Sequence, residues 1–174
     1  MTTQETVQIG DPVLRETAQN AENIDSVASI ITDLTDTMQS EKLVGIAAPQ
    51  IGVSARLFVS EIREGNMRNA PVEPLCVYIN PEIVHVSHET ELDYEGCGSI
   101  AHGDIFGLVE RSIEITVKYK DGVGVSREKT ASGLLARIIQ HEMDHLDGIL
   151  FTDLCDPKTL VSREYYIKHV LGTK

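Results

Sequence analysis

The sequence lacks the features that would direct a chain into a membrane or out of the cell. No apolar run approaches the ~20 residues that a membrane-spanning helix needs. The opening residues Met1 to Thr6 have neither the basic flank nor the apolar stretch of a secretory signal. They are also acidic, unlike an arginine-rich transit peptide. These absences predict a cytoplasmic protein without a membrane partner.

Cysteine and positive charge are also scarce. An odd count of three cysteines (Cys76, Cys97 and Cys155) without a secretory signal argues against a disulfide framework and predicts reduced thiols. One of these thiols could therefore be a metal ligand. Lys and Arg number 15 against 27 Asp and Glu, which gives a net charge of −12. The basic residues are scattered, so no footprint for sequence-specific nucleic-acid binding is present. We interpret the acidity as a solubility feature.

The chain is expected to fold as a single domain spanning residues 1–174. Apolar residues recur at helical spacing between Ile24 and Met38, which predicts an amphipathic helix packed on a core. Shorter runs of alternating polarity predict strands at 56–62, 76–80, 83–86, 112–119 and 124–129. The predicted fold class is α+β, with a central helix packed against antiparallel or mixed β-sheets.

Turn and cap signals mark the boundaries of these elements. The Asp121-Gly122 pair predicts a hairpin turn between the last two strands. The segment 64–74, rich in proline, glycine and asparagine, predicts a surface loop. A second helix is expected to begin after Ser132 as N-cap and to end at Gly148, which suits a left-handed C-terminal position.

This second helix carries the strongest chemical signal, the run Gln140-His-Glu-Met-Asp-His145. His141 and His145 are four residues apart, so they lie on one face of the helix, one turn apart. Two neutral imidazoles at that spacing can bind one divalent cation. Glu142 can reach a water bound to that cation and serve as general base and then general acid. The alternative is a solvated helix whose histidines pair with nearby acids.

A catalytic site of this kind uses a third protein ligand and leaves one position for water. The residues that could supply it are His85, His88, His102, a carboxylate or Cys97. Cys97 is favoured because glycines on both sides let the backbone bend tightly around a thiolate that binds such metals strongly. The alternative is an ordinary core cysteine, although glycines are unusual packing partners for one.

The small, apolar stretch from Val44 to Gly52 contains a single polar side chain, Gln50. Glycine and alanine in this stretch permit close approach by a neighbouring segment or a ligand. An amide among such residues must form a hydrogen bond. From this stretch alone, Gln50 is either a structural amide satisfied by the backbone or a group that faces a ligand.

Three stretches, in order, resemble the motifs of the peptide deformylase family, which are roughly GxGxAAxQ, EGCLS and HExDH. Here they are LVGIAAPQ at 43–50, EGCGS at 95–99 and HEMDH at 141–145, and the start at 10–15 is also similar. The resemblance covers nearly the whole chain. It implies removal of the N-formyl group from the initiator methionine of nascent polypeptides. The metal it implies is usually Fe(II) and sometimes nickel or zinc.

The resemblance also assigns roles to individual positions. The implied partner is an N-formylmethionyl peptide, and the role leaves room for a transient association with the ribosome. The implied metal ligands are Cys97, His141 and His145, and the implied catalytic groups are Glu142 as acid/base with Gln50 and the Gly98 N–H as oxyanion donors. The implied substrate pocket comprises Val44, Gly45, Leu134, Arg137 and Ile138, and the implied structural ion pair joins Arg111 to Asp144.

Several positions depart from the family pattern. Leu43 stands in place of the first glycine, and Gly98 in place of the leucine of EGCLS. The loop from Cys97 to Arg111 is about two residues longer than expected, and it lacks an obvious arginine to grip the substrate backbone. Arg137 stands where bacterial members tend to have an aliphatic pocket residue. Snorkelling of Arg137 would leave only its methylene stem in the pocket.

Two other functions are compatible with these motifs. One is a zinc peptidase of the HExxH class, although nothing downstream supplies a further His or Glu at the usual spacing. The other is a deformylase-like protein that keeps the metal and binds peptide N-termini with little or no turnover. The departures at Leu43, Gly98 and Arg137 motivate the second alternative. Turnover distinguishes it, because all three functions require bound metal.

Overall fold

The computed structural model describes residues 3–64 and 70–172, which form two antiparallel sheets, four α-helices and several short 3-10 or π segments. The strands are β1 (Gly45–Ala47), β2 (Leu57–Ile62), β3 (Glu73–Val86), β4 (Thr90–Gly96), β5 (Ile105–Ser112), β6 (Glu114–Lys120), β7 (Ser126–Ser132) and β8 (Val161–Ser162). The helices are α1 (Ala28–Ser40), α2 (Gly133–Leu146), α3 (Phe151–Leu154) and α4 (Arg163–Tyr165). One sheet has the order β1-β2-β3-β6-β7 and the other β4-β5-β8. The pairings between these strands are antiparallel, and the α+β prediction is confirmed.

Helix α2 is the central element and packs on the five-stranded sheet. Its residues Ala136, Ile139 and Leu146 are fully buried, in one cluster with Phe58 and Tyr78 of that sheet. The rings of Phe58 and Tyr78 stack with their centroids 4.4 Å apart. Burying such side chains stabilises the fold by ~1.5–3 kcal/mol each, so α2 is held firmly against the sheet.

The ends of α2 lie where the sequence predicts them. Ser132 occupies the N-cap position in extended conformation, although its side chain makes no capping hydrogen bond. Gly148 follows the helix with φ +75°, the left-handed conformation that favours glycine. Within 3–64 and 70–172, no helix has both the length and the apolar character required to cross a bilayer.

Helix α1 starts later than its apolar pattern predicts. A 3-10 turn covers Asp25–Val27, and the α-helix runs from Ala28 to Ser40. The Asn23 side chain accepts a hydrogen bond from the Ser26 N–H at 2.9 Å, which favours a turn at this point. The fully buried Leu34 and Met38 then pack in the cluster that contains strand β2 residues.

In the five-stranded sheet, strand β3 differs from the sequence prediction. The two runs predicted at 76–80 and 83–86 form a single strand, β3, with register shifts where they meet. Asn80 at this point has φ +48°, and its side-chain amide bonds both backbone groups of Ala21. Proline at 74 belongs to β3, whereas Gly65 and Asn66 of the predicted loop lie outside the described residues.

The three-stranded sheet corrects the sequence interpretation further. Strand β4 was not predicted, and most of the segment interpreted as a long loop after Cys97 is strand β5. Only residues 97–104 connect the two strands. The hairpin between β6 and β7 is also longer than the Asp121-Gly122 pair predicts, since Lys120 pairs with Ser126. The Asp121 carboxylate stabilises this longer turn by accepting bonds from two backbone N–H groups.

Gly148 generates a prediction about stability. A Cβ at this position would lie 2.7 Å from the carbonyl oxygen of Arg15, whereas a Cβ at Gly124, which has φ +82°, would meet nothing within 4 Å. Both Gly→Ala changes force a left-handed alanine at ~1–2 kcal/mol, but only Gly148→Ala adds a clash with rigid backbone. Urea denaturation should therefore show a clearly larger loss of unfolding free energy for Gly148→Ala. Equal losses in the two variants would contradict the close packing of Gly148 against Arg15.

Candidate active site

Three potential metal ligands come together where the end of strand β4 meets helix α2. The ligand atoms of Cys97, His141 and His145 lie within 4.8 Å of one another. Cys97 Sγ is 3.2 Å from His145 Nε2, and both side chains are buried. His85, His88 and His102, the other histidines considered for the third position, are outside this group. The donor set of one thiolate and two imidazoles suits zinc or iron and leaves room for a fourth ligand.

A buried carboxylate, Glu95, orients one of the two histidines. Glu95 Oε2 lies 2.9 Å from His141 Nδ1, so the opposite ring nitrogen of His141 is left for the ligand group. Arg111 donates two hydrogen bonds to Glu95 in a bidentate arrangement, from Nε to Oε1 and from Nη2 to Oε2, each 3.0 Å long. Burial by itself raises the pKa of Glu95, but the hydrogen bonds and charges of His141 and Arg111 outweigh it and lower that pKa strongly. Glu95 therefore stays ionised.

Arg111 also forms the ion pair with Asp144 that the family resemblance implies. Its Nη1 donates to Asp144 Oδ2 at 2.6 Å, and the Arg111 side chain is only 7% exposed. One guanidinium thus joins a carboxylate of strand β4 to a carboxylate of helix α2. A buried guanidinium is stable only when well-aligned carboxylates replace the water it has lost. The Arg111–Asp144 pair therefore fixes the position of helix α2 relative to the three-stranded sheet.

The two histidines experience opposite environments. Burial lowers the pKa of His141, but the adjacent Cys97 and Glu95 more than reverse this and bring it well above 6.5. Burial dominates at His145 and holds its pKa well below 6.5, so this ring is neutral. The negative neighbours that attract a proton to His141 would attract a metal cation in the same way. The site is therefore electrostatically suited to a cation.

Glu142 has the properties of a proton carrier. It is buried, and its Oε2 has no hydrogen-bond partner among the described residues. Burial raises its pKa to about 7. A buried, unpartnered carboxyl oxygen is unfavourable unless something binds it, so this atom fits a site that receives water or substrate. Gly45 makes room for it: a Cβ there would lie 2.6 Å from Glu142 Oε1 and 2.9 Å from Ile138 Cγ2.

The Gln50 amide is both bonded to the backbone and directed at the ligand group, the two possibilities that the sequence left open. Its Oε1 accepts a hydrogen bond from the Ala47 N–H at 2.8 Å, so half of the amide is satisfied by the backbone. The other half points toward the ligand group, with Nε2 3.4 Å from Cys97 Sγ and 3.5 Å from Ser99 Oγ. The backbone contact fixes which end of the amide faces the site.

The loop after Cys97 is tied down by Gln8, which the sequence interpretation missed. Gln8 Nε2 donates to the Gly98 carbonyl at 2.9 Å, and Gln8 Oε1 accepts from the His102 N–H at 3.0 Å. Ala101 and His102 have φ of +47° and +53°, which non-glycine residues rarely adopt. No sequence motif indicates Gln8, because its partners are about 90 residues away.

Gly98 itself is not locked into a glycine-only conformation. Its φ lies outside the left-handed region, and a Cβ would meet Glu41 Oε2 and Leu43 Cδ1 only at 3.6 Å. A methyl group can therefore be accommodated here without backbone strain. Leu43 is the other departure from the first two motifs. It is partly buried and packs against the apolar cluster that contains Leu34 and Met38 of α1.

The expected pocket residues divide into two groups. Val44, Leu134 and Ile138 belong to the apolar cluster around α2, and Gly45 lies directly over Ile138. The Arg137 guanidinium does not snorkel to solvent: the residue is 5% exposed and Nη1 lies 2.9 Å from Glu95 Oε1. The expectation of a solvated head group is wrong, because buried acceptors on β4 and β5 are close enough to bind it.

Comparison with known proteins shows the same pattern over most of the chain. The family model described as polypeptide deformylase matches residues 3–160. A peptide deformylase from Pseudothermotoga lettingae is 45% identical over 147 residues, covering 84% of this chain and 79% of the relative. One from Dictyoglomus thermophilum is 40% identical over 157 residues, covering 90% and 95%.

Solved structures agree with the sequence relatives. A Met-Ala-Ser-bound class I type b peptide deformylase from Acinetobacter baumannii is similar with a TM-score of 0.82 and 33% identity, covering 88% of this chain and 99% of that one. The peptide deformylase of Thermotoga maritima has a TM-score of 0.77 and 38% identity, covering 90% and 100%. At these identities the likeness extends to the family as well as the fold.

The ligand group makes a direct prediction about metal content. Cys97→Ala removes one donor from the group and should abolish stoichiometric metal in elemental analysis of the purified protein. Cys155→Ala is the matched control, because Cys155 is also a buried free thiol but lies outside the ligand group. It should retain the metal. Unchanged metal in Cys97→Ala would remove Cys97 from the ligand set.

Proposed function

The chain belongs to the polypeptide deformylase family, and we propose that it removes the N-formyl group from peptides beginning with N-formylmethionine and releases formate. The observation that carries this proposal is the grouping of a buried thiol, a buried histidine and a partly buried histidine, with a buried glutamate that has an unpartnered oxygen directly after one of them in the chain. We propose that residues 1–174 form one catalytic domain. It would act in the cytoplasm on nascent chains, with at most a transient association with the ribosome.

Cys97, His141 and His145 would hold the metal. A divalent cation bound there would act as a Lewis acid on the formyl carbonyl and make a neighbouring water more acidic. We propose Fe(II) as the native ion, with zinc or nickel as substitutes in purified protein, because thiolate and imidazole donors accept all three. Glu95 and Arg111 support this group by holding the His141 ring in one orientation.

Glu142 carries the proton through the reaction. It takes a proton from the attacking water as the water oxygen bonds to the formyl carbon. It then delivers that proton to the amide nitrogen as the carbon–nitrogen bond breaks, which yields formate and a free amino terminus. A pKa of about 7, raised by burial, allows the same carboxyl group to act as base and then as acid near neutral pH.

Gln50 and Gly98 would stabilise the negative charge that develops on the formyl oxygen. The Gln50 amide is oriented before substrate arrives, since the Ala47 N–H already occupies its oxygen and leaves its NH2 facing the ligand group. The Gly98 N–H follows Cys97 directly in the chain. Donors fixed in advance are worth most in a site shielded from water.

The methionine side chain would occupy an apolar pocket lined by Val44, Gly45, Leu134 and Ile138. Three of these are apolar residues of the cluster around α2. Arg137 contributes its methylene stem at most, because its guanidinium is bound elsewhere. The Acinetobacter baumannii relative is known with Met-Ala-Ser bound, the peptide that deformylation of its formylated form would leave.

The proposed activity is tested by formate release from formyl-Met-Ala-Ser, using protein purified and handled without oxygen. Glu142→Gln keeps the shape of the side chain and removes the base, so turnover should fall by ~10²-fold or more while metal content and melting temperature are kept. Wild-type protein that holds stoichiometric metal yet releases no formate would identify a non-catalytic peptide binder instead. A Glu142→Gln variant with near-normal kcat would exclude Glu142 as the base.

Gly45 gives a second test of the role of Glu142. Gly45→Ala places a methyl group 2.6 Å from Glu142 Oε1, which is too close, so the carboxylate must move. A displacement of about 1 Å can reduce kcat by up to ~10²-fold, and we expect at least a ~10-fold loss with the metal retained. Gly98→Ala is the control, since its methyl group has ordinary van der Waals distances. Equal kcat in Gly45→Ala and wild type would mean that Glu142 tolerates displacement.

Gly98 gives a test of substrate affinity. Gly98→Leu restores an apolar side chain beside Leu43 without backbone strain. We expect KM for formyl-Met-Ala-Ser to fall by up to ~10-fold, equivalent to ~1.4 kcal/mol of added apolar contact, with kcat little changed. The Gly98→Ala variant should show a smaller decrease. A Gly98→Leu protein with a raised KM would show that the added side chain blocks the peptide.

A further inference from the structure

Arg137 is a buried cation whose contacts the proposed reaction does not use. Its Nη1 donates to Glu95 Oε1 at 2.9 Å and to the Val109 carbonyl at 2.8 Å. Its Nη2 donates to the Glu91 carbonyl at 2.7 Å. The side chain is 6% exposed. Nη1 also lies 3.5 Å from the Asp93 carbonyl. A single guanidinium on helix α2 therefore binds strand β4 at three points and strand β5 at one.

These contacts lie at the place where the candidate metal centre is assembled from two elements. Cys97 directly follows strand β4, whereas His141 and His145 are on helix α2. Arg137 is one helical turn before His141 and shares the Glu95 carboxylate with it. The separation of Cys97 from the two histidines thus depends on how β4 is attached to α2.

We propose that Arg137 is a positioning residue for the metal centre. It attaches strand β4 to helix α2 through the Glu91 carbonyl and Glu95, so that Cys97 and His141 are held at the separation one metal ion requires. The inference rests on the proposed function only in assuming that the three residues bind metal. This positioning role differs from the one that the family resemblance implies for Arg137, which is to line the substrate pocket.

Arginine is the side chain that these acceptors require. Its planar guanidinium presents five N–H donors in a rigid fork, which can reach carbonyls on two strands and a carboxylate together. Lysine would keep the positive charge on a single rotating ammonium, which cannot match four separated acceptors at these distances. Arg111 cannot replace the contacts with the Glu91 and Val109 carbonyls, because its own bonds go to Glu95 and Asp144.

The charge and the shape of the Arg137 side chain have opposite effects on the affinity of the site for a metal cation. A nearby positive charge repels a metal cation, so removing it would strengthen binding, whereas removing the fork would weaken binding. Arg137→Lys separates the two effects, because the charge remains and the fork is lost. A role in positioning predicts weaker binding in Arg137→Lys, and a purely electrostatic role predicts no change.

The experiment titrates Co²⁺ into chelator-treated protein below the melting temperature of each variant. Co²⁺ bound to a thiolate has a ligand-to-metal absorption band, which here reports the Cys97 contact separately from affinity. We expect the Co²⁺ Kd of Arg137→Lys to rise by ~10- to 100-fold, as for other residues that orient metal ligands, and the thiolate band to weaken. A Kd within twofold of wild type with an intact band would overturn the proposal.

Arg56→Lys is the matched control. Arg56 also joins α2 to the other sheet, with hydrogen bonds to the Leu146 and Pro81 carbonyls and an ion pair to Asp147, but it has no bond to Glu95. Its substitution should lower the melting temperature and leave the Co²⁺ Kd and the thiolate band unchanged. Equal weakening of Co²⁺ binding in both variants would mean that general loss of stability, not positioning, explains the effect, and would overturn the proposal.

Arg137→Met is a second variant in case the buried lysine prevents folding. It removes both charge and fork while filling much of the same volume. A weakened thiolate band would support positioning, and tighter Co²⁺ binding with an intact band would overturn it. Wild-type protein that binds Co²⁺ normally but does not release formate would refute the proposed function and leave this inference intact.

Discussion

The ionised carboxylate of Glu95 is the interaction on which the rest of the site depends. Two arginines and a histidine converge on it, Arg111 from strand β5 and the other two from helix α2. An isolated buried carboxylate would be very unfavourable, so the surrounding donors are needed for the protein to fold with this charge inside. Once they are present, the same bonds join strand β4, strand β5 and helix α2 into one rigid unit.

Two buried glutamates, Glu95 and Glu142, show how the environment assigns opposite tasks to one residue type. Charged donors lower the pKa of Glu95, so it serves as a fixed anion. Burial without a hydrogen-bond partner for Oε2 raises the pKa of Glu142, so it can exchange a proton near neutral pH. Separation of the pKa values of paired carboxyl groups is how enzymes divide structural and proton-transfer roles.

The sequence predicted the local features of the site better than the long-range ones. The helical spacing of His141 and His145 and the glycines around Cys97 are short-range signals, and the structure brings the three side chains together. Strand β4 was missed because its half-exposed, acidic sequence lacks an apolar stripe. The destination of the Arg137 head group was mispredicted because its acceptors belong to strands distant in sequence.

The origin of the ligand group in widely separated segments has a consequence for the synthesis of this protein. Gln50, Cys97 and His141 belong to segments that leave the ribosome at different times, and β1, β4 and α2 must all be in place before they meet. Contacts between residues so far apart in sequence form slowly, because the entropy of closing the intervening chain is lost before the contacts can stabilise the fold. The complete three-ligand centre therefore forms only after α2 has been synthesised and has packed against the end of β4.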